Sequence, residues 1–290
     1  MAQTTTTTLA TLVPAEFIAA QVLREARPYN VVAPLVRNER MPQGQGVSFK
    51  ISQLPTTTAA SVAEASDITA AARTTTESPI TVAEVGLSTE VTLLARETSR
   101  LQNQLIVWAQ SQGRAIAQKI TGDLCALFAA LNGNTAVGTS GTDITIANFL
   151  EAMYTLANAN APGQRRAVLH PRQVTDIFNA ISASTGTPYS NLPELVRAGR
   201  LPEGQPEAGF AGLLFGVPIY VTTEVATANS GADRAGAMFV PDALGFVELR
   251  PITVTYDEDA SKRSTEVVVT SAYGVGEIVD GYGVPIVTDT

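Results

Sequence analysis

Apolar residues recur at steps of three, four or eight between Glu97 and Leu131: Leu101, Leu105, Trp108, Ile116, Ile120, Leu124, Leu127 and Leu131. That spacing is the 3.6-residue period of an amphipathic helix. Arg100, Gln104, Gln110, Gln118, Lys119 and Asp123 fill the other faces. At 1.5 Å per residue the predicted helix is about 50 Å long. Asn132-Gly133 stops it, because glycine tolerates the left-handed cap conformation. A helix of that length needs a long surface to cover its stripe, Trp108 included. The extended segments at 252–256, 265–270 and 275–287 are the natural sheet for it.

Before this helix the pattern changes several times. Residues 1–13 are Thr-rich and of low complexity. Pro14 opens a short helix to Glu25, with Phe17, Ile18, Val22 and Leu23 on one side, and Pro28 ends it. Tyr29 to Arg40 is an extended arm carrying Val31, Val32, Leu35 and Val36. Its apolar side chains need a partner surface, either the chain's own domain or a neighbouring subunit; folding back is the simpler of the two. Gly44-Gln45-Gly46 turns the chain, and Val47, Phe49 and Ile51 then alternate with polar residues as a half-buried strand. A matching strand starts at Pro79. Its alternation slips at Glu84-Val85 beside Gly86, which predicts a bulge. Residues 55–78 between them hold no bulky apolar residues except Val62 and Ile68. So long a segment without a core is either a lid or an arm that rests on another subunit.

After a Gly/Thr/Asn linker at 132–141, Thr145 caps a helix over Ile146 to Asn158. Arg166 to His170 reads as a short buried strand, and Pro171 opens a helix with Val174, Ile177, Phe178 and Ile181 on one face. Leu213 to Val225 is a strand pair or one bent strand; Ala237 to Val240 and Gly245 to Leu249 are further strands. Helices interleaved with strands over 142–249 make a compact domain of the α+β class. The late strands must pair beside the long helix, so that domain is an insertion and the first domain is discontinuous in sequence.

Composition narrows the function. A net charge of −8 does not suit nucleic-acid binding over the whole surface. A single cysteine excludes an internal disulfide framework and fits a reducing compartment. No stretch reads as a secretory signal, and the apolar run from Phe210 to Val221 is broken by Gly212, Gly216 and Pro218, so no membrane span is expected. His170 is the only histidine, which leaves no two-histidine metal site, and Cys125 sits among Leu124, Leu127 and Phe128 as a small buried apolar group. Gly274-Val275-Gly276 and Gly281-Tyr282-Gly283 lack the lysine of a phosphate loop and read as turns; Asp257-Glu258-Asp259 reads as a solvated hairpin tip. No catalytic residue, cofactor or metal is expected.

The order of parts resembles that of the HK97-like major capsid proteins of tailed phages. "AVLHPRQVTDIFNAI" (167–181) resembles the family's strand followed by a Pro-started helix, and "GTPYS" (186–190) the short element after it. "LLFGVPIYVT" (213–222) resembles its apolar-Gly-x-Pro-apolar strand, and "AMFVPDALGFVEL" (237–249) its strand–turn–strand return. The resemblance covers roughly 30–290 and implies five parts. These are an N-terminal arm (1–44), an extended hairpin called the E-loop (45–92), a long spine helix with the first part of a peripheral domain (93–141), an axial domain (142–249), and returning peripheral strands (250–290).

The resemblance also implies a function: a structural shell protein, not an enzyme, assembling through pentamers and hexamers into an icosahedral capsid around phage double-stranded DNA. An encapsulin-type nanocompartment has the same architecture, and an acidic hydrolase is a remote alternative. Contacts between copies are expected at Arg24, Arg27, Val32 and Leu35 of the arm and at Val62, Glu64, Ile68 and Arg73 of the loop. Arg24, Arg27, Arg37 and Arg40 would face either DNA or acidic neighbours. Some members cross-link through an E-loop lysine; residues 55–78 have none, Lys50 lying on the ascending strand, so cross-linking is not expected. With about 40 residues before the hairpin there is no room for a cleaved scaffolding segment, so either a separate scaffolding protein is expected or the sequence is already the processed form; a portal is expected too, and the location is the virion after assembly in the host cytoplasm.

Overall fold

The computed structural model describes residues 15–44, 46–53, 57, 59, 61–62, 64, 67–68, 72–98, 104–185 and 206–289. In chain order, α1 (Ala15–Ala26) leads through two short 3₁₀ turns to β1 (Arg37–Arg40). A two-stranded ribbon follows, β2 (Ser48–Gln53) and β3 (Thr76–Thr81), then β4 (Ala83–Thr92), α2 (Leu93–Thr98) and α3 (Gln104–Ala126). Next come α4 (Ile146–Asn158), β5 (Arg166–Leu169), α5 (Pro171–Thr185), β6 (Phe210–Leu214), β7 (Val217–Val221) and β8 (Thr227–Ala228). The last strands are β9 (Asp233–Phe239), β10 (Leu244–Asp259), β11 (Ser264–Glu277) and β12 (Gly283–Asp289).

Apart from the ribbon, two sheets share these strands. The first has the order β1-β10-β11-β4, with β1 parallel to β10 and the other pairs antiparallel. The second has the order β12-β9-β5-β7-β6, and β8 also pairs with β9. α3 lies on the first sheet. Val267, Val269 and Tyr273 of β11 and Ile116, Ile120 and Leu124 of α3 belong to one buried cluster. Two polar ties fix the helix along the sheet: Gln112 donates to Thr89 Oγ1 (2.6 Å), and the Tyr273 hydroxyl donates to Asp123 (2.8 Å).

The long helix ends earlier than its sequence pattern predicts, at Ala126 rather than Leu131, and its described stretch α3 runs about 35 Å. Past Ala126 the chain tightens into 3₁₀ turns at Phe128–Ala130 and Asn132–Asn134, where Gly133 adopts φ 59°. That tightening turns both Phe128 and Leu131 fully inward, with Phe128 meeting Phe239 of β9 at 5.6 Å between ring centroids. The end of the helix thereby joins the two sheets. Leu101 and Arg100 lie outside the described residues.

The buried stripe also differs. Trp108 is 47% exposed, not core. The seam against α1 is built from small residues, Ala109 and Gly113, which a reading weighted toward large side chains passes over. A Cβ on Gly113 would lie 2.4 Å from Val22 Cγ1, so the glycine is what lets α1 approach. The arm after α1 folds back on its own chain: Val31, Val32, Leu35 and Val36 are all buried in the main core. Arg166 donates to the Leu35 carbonyl (2.6 Å), and Asn38 donates to the carbonyls of Ala33 and Val36.

Two expectations about strands are corrected. β12 does not return to the sheet under α3; it pairs with β9 in the second sheet, where Val284 and Ile286 are fully buried beside Phe149 and Leu156 of α4. Continuous apolar runs such as "GVPIV" suit either sheet, so the pattern alone cannot assign it. The slip near Gly86 is not a bulge, since β4 pairs with β11 in unbroken register from Ala83 to Thr92. The break falls at Val82, where the strand leaves its ribbon partner and enters the sheet. Leu213 to Val225 contains a true strand pair, β6 and β7, turned by Phe215 (φ 50°) and Gly216 (φ 81°).

α4 starts as its sequence predicts: Thr145 Oγ1 accepts from the Asn148 amide at 3.2 Å. Thr145→Ala should cost about 1 kcal/mol and lower the calorimetric melting temperature by roughly 2–4 °C.

Candidate assembly ribbon

The ribbon β2–β3 pairs from Ser48–Thr81 to Gln53–Thr76. Its inward face forms a small core on the first sheet. Phe49 and Ile51 of β2 and Ile80 of β3 pack with Met41, Val82, Val247, Ala272 and Ile278. Val47, expected in the same buried phase, is 67% exposed, although its carbonyl still accepts from the Val82 amide at 2.8 Å. On the ribbon's other face, Lys50 Nζ is held by Glu77 at 2.8 Å across the ribbon, and this partner raises the lysine's pKa.

The root has an unusual seat. Ile80 is 1% exposed and lies against the backbones of β10 and β11 where both strands carry glycine. A Cβ on Gly245 would sit 2.7 Å from Ile80 Cδ1, and one on Gly276 would sit 2.7 Å from Ile80 Cγ1. A Cβ on Gly274 would sit 2.5 Å from the Thr81 carbonyl oxygen. Real Cβ atoms do not approach so closely; the three glycines form a notch that only a bare backbone leaves open. Gly274 and Gly276 are therefore strand residues rather than the expected turn, and the ribbon crosses over the sheet on top of them. Gly281 and Tyr282 do lie in a turn, at Asp280–Tyr282.

Polar contacts complete the root. Gln53 Nε2 donates to Ser78 Oγ (2.7 Å) and also to the Ile278 carbonyl, which takes a further bond from Ser78 Oγ at 3.2 Å. Beside Ile278, burial and then the Asp280 carboxylate push the Glu277 carboxyl above its ordinary range. Asp280 is itself engaged, with both oxygens accepting from the Gly133 amide at 2.9 and 3.0 Å.

The residues expected at contacts between copies fall in different places. Val62, Glu64, Ile68 and Arg73 lie beyond the ribbon and are all exposed, Ile68 at 81%. Arg24 and Arg27 are exposed at the end of α1. Val32 and Leu35 are a correction: both are 0% exposed inside their own chain, because the arm's apolar side is consumed by the core under α3. Sequence reasoning missed Ile80, Gly245, Gly274 and Gly276; glycines at alternating positions inside an otherwise β-branched run were the available signal.

Groups with possible chemistry have structural surroundings. His170 Nδ1 accepts from the Arg172 amide (3.3 Å) at the start of α5, and burial followed by the nearby Arg234 lowers its pKa. Cys125 is fully buried, and that burial pushes its thiol pKa up. Among the described residues no group of three or more His, Cys, Asp or Glu could hold a metal ion, and no helix is long and apolar enough to cross a membrane.

Comparison with known proteins adds one family and a fold. A family model described as phage capsid protein matches residues 74–284. No curated protein matches the chain. Among solved structures, the capsid of the cyanophage P-SCSP1u is similar at TM-score 0.61 and 15% identity, covering 88% of this chain and 87% of that one. The acid-stable capsid of Helicobacter pylori bacteriophage KHP30 is similar at TM-score 0.64 and 11% identity, covering 92% and 91%. A virus-like particle from Pyrococcus furiosus is similar at TM-score 0.58 and 11% identity, covering 93% and 98%.

Two outcomes follow from the root geometry. Gly274→Val should unseat the ribbon, so limited proteolysis should cut within 45–82 faster than in the wild type while the fragments of the two sheets persist. A carboxyl whose folded pKa is raised favours the folded state only while protonated, and that benefit is lost as pH rises. Glu277→Gln should therefore melt above the wild type near neutral pH, with the gap closing as pH falls through the raised value and gone below the ordinary glutamate value of 4.5.

Proposed function

The chain belongs to the phage capsid protein family and is a structural shell protein with the HK97-like fold, and from that premise we propose what each part does in the shell. The ribbon β2–β3 with the loop beyond it acts as the E-loop and lies across a neighbouring copy. α3 with the first sheet acts as the peripheral domain. The second sheet with α4 and α5 acts as the axial domain around the five- and six-fold axes. The N-terminal arm serves its own subunit first, since its apolar residues are spent in its own core.

The observation that carries this is the contrast between root and tip. The root is a packed core with Ile80 at its centre. Val62 and Ile68 beyond it are exposed apolar residues with no core of their own. A ribbon packed on its own sheet, with exposed apolar residues beyond it, is suited to a contact outside the chain. Shells join many copies through repeated self-contacts, and each contact can be modest when many act together. The match to a phage family favours a phage head over a nanocompartment, and the hydrolase reading has no support. We further propose that the shell encloses double-stranded DNA without reading its sequence and assembles in the host cytoplasm with a separate scaffolding protein and a portal.

Removing residues 57–76 tests the assignment. The shortened chain should keep its far-ultraviolet circular dichroism and its melting transition yet form few or no particles in negative-stain electron microscopy. Normal shells from it would remove the ribbon from assembly.

A further inference from the structure

The buried face of α5 carries Val174, Ile177 and Ile181, and with them two polar residues three positions apart, Gln173 and Asp176. Residues so spaced share one side of a helix. Gln173 is fully paired: its amide donates to Thr288 Oγ1 (2.8 Å) and to the carbonyls of Arg234 and Ile286, and its oxygen accepts from the His170 amide (3.0 Å). Asp176 has no such set of partners. Its side chain is only 5% exposed, and Oδ2 is sealed from solvent and takes no hydrogen bond. Buried carboxylates are ordinarily paired, and their oxygens hydrogen-bonded.

One cation faces this carboxyl. Arg172 Nε lies 3.3 Å from Oδ1, one turn back on the same helix, but the arginine side chain is 55% exposed and water screens its pull. The neighbouring elements bring carboxylates. Asp289 follows Thr288 at the end of β12, and its amide donates to the Thr142 carbonyl (3.0 Å), which draws the next residue, Asp143, to the same place. Both act on Asp176. The other charged groups of the packed elements are engaged elsewhere. Asp233 of β9 accepts from the Gly141 amide (3.1 Å) and from Asn229, Arg234 donates to the Val225 carbonyl (3.2 Å), and Glu151, the charged residue of α4, is exposed.

An ionised Asp176 thus sets a desolvated charge beside two more of its own sign, with one half-exposed partner to offset them. A proton on Oδ2 removes that charge and turns the unpartnered atom into a donor with carboxylates nearby. Burial first, then the Asp143 and Asp289 carboxylates, hold this carboxyl above its ordinary range against the pull of Arg172. A raised carboxyl contributes stability in full below its unfolded value, and the contribution is lost as pH rises through the folded value.

We infer that Asp176 is a proton-operated latch: protonated, it fastens α5 to the end of β12 and the segment at Asp143; ionised, it lets α5 lift from the second sheet more readily. The latch is a property of one subunit, so it stands or falls independently of the shell reading. It is also separate from the Glu277 carboxyl, which sits at the end of β11 in the first sheet.

Hydrogen exchange of the α5 amides in the full chain tests it, with wild type and Asp176→Asn compared at each of a series of pH values. Near neutral pH the neutral isostere should slow exchange across α5 several-fold, since local opening sets the rate. The gap should narrow as pH falls through the raised value and vanish below the ordinary aspartate value of 3.8, while α3 exchanges alike in both chains. No gap at any pH, a gap that ignores pH, or faster exchange in the variant would overturn the inference, as would a variant that fails to fold. Asp143→Asn replaces an exposed carboxylate. It should slow α5 exchange near neutral pH in the wild-type background and have much less effect beside Asp176→Asn; equal effects in both backgrounds would overturn the pairing of the two carboxyls. Magnesium or calcium chloride should leave the wild-type rate unchanged. If either ion alone slows it to that of Asp176→Asn, a metal ion rather than a proton is the occupant and the inference falls.

Discussion

Ile80 reaches the backbones of two strands at once because Gly245, Gly274 and Gly276 present no side chain there. The contact is small, but its position gives it leverage. On one side of it the chain is part of a four-stranded sheet under α3; on the other it is a ribbon with exposed residues beyond. Glycine in a strand weakens the strand itself. Two such residues in β11 and one in β10 make sense where another strand must cross at close range, and β3 does. The hydrogen bonds from Gln53 and Ser78 to the Ile278 carbonyl then fix the crossing angle.

The rest of the molecule prepares that crossing. The small-residue seam between α1 and α3 lets the two helices lie side by side, with α3 along β11 and α1 over β10. The arm from Val31 to Val36 fills the space below, and β1 adds its strand beside β10. Because Val31 to Val36 are spent inside the subunit, the proposed contact between copies falls to the ribbon and the loop beyond it. The division is physical: apolar groups already buried in the monomer contribute no further burial energy when copies associate.

Much of the architecture was legible in the sequence because its signals are local. The period of Ile116, Ile120 and Leu124, the Thr145 cap and Pro171 at the start of α5 each depend on a few neighbouring residues. The family resemblance, carried by the order of such pieces, extended them to a whole fold. What the sequence hid is non-local. Which sheet β12 joins depends on β9 being free on one edge, and no property of "GVPIV" reveals that. The notch under Ile80 needs glycines about 30 residues apart on two strands to align with a residue far upstream, as only the β10–β11 register brings about. Trp108 misled because its size outweighed Ala109 and Gly113, the true seam. The contact residues split for the same reason: those of the loop stayed exposed, whereas Val32 and Leu35 were claimed by a core that the arm's own pattern does not disclose.

The central claim is that the ribbon is anchored within its own subunit and completed by another. A cryo-electron microscopy map of assembled particles, at a resolution that traces side chains, tests it most directly. The account predicts Ile80 seated on the three glycines in every copy, with Val62 and Ile68 against an adjacent subunit. A map in which the loop beyond the ribbon folds onto its own two sheets, with no neighbour in reach, would contradict it.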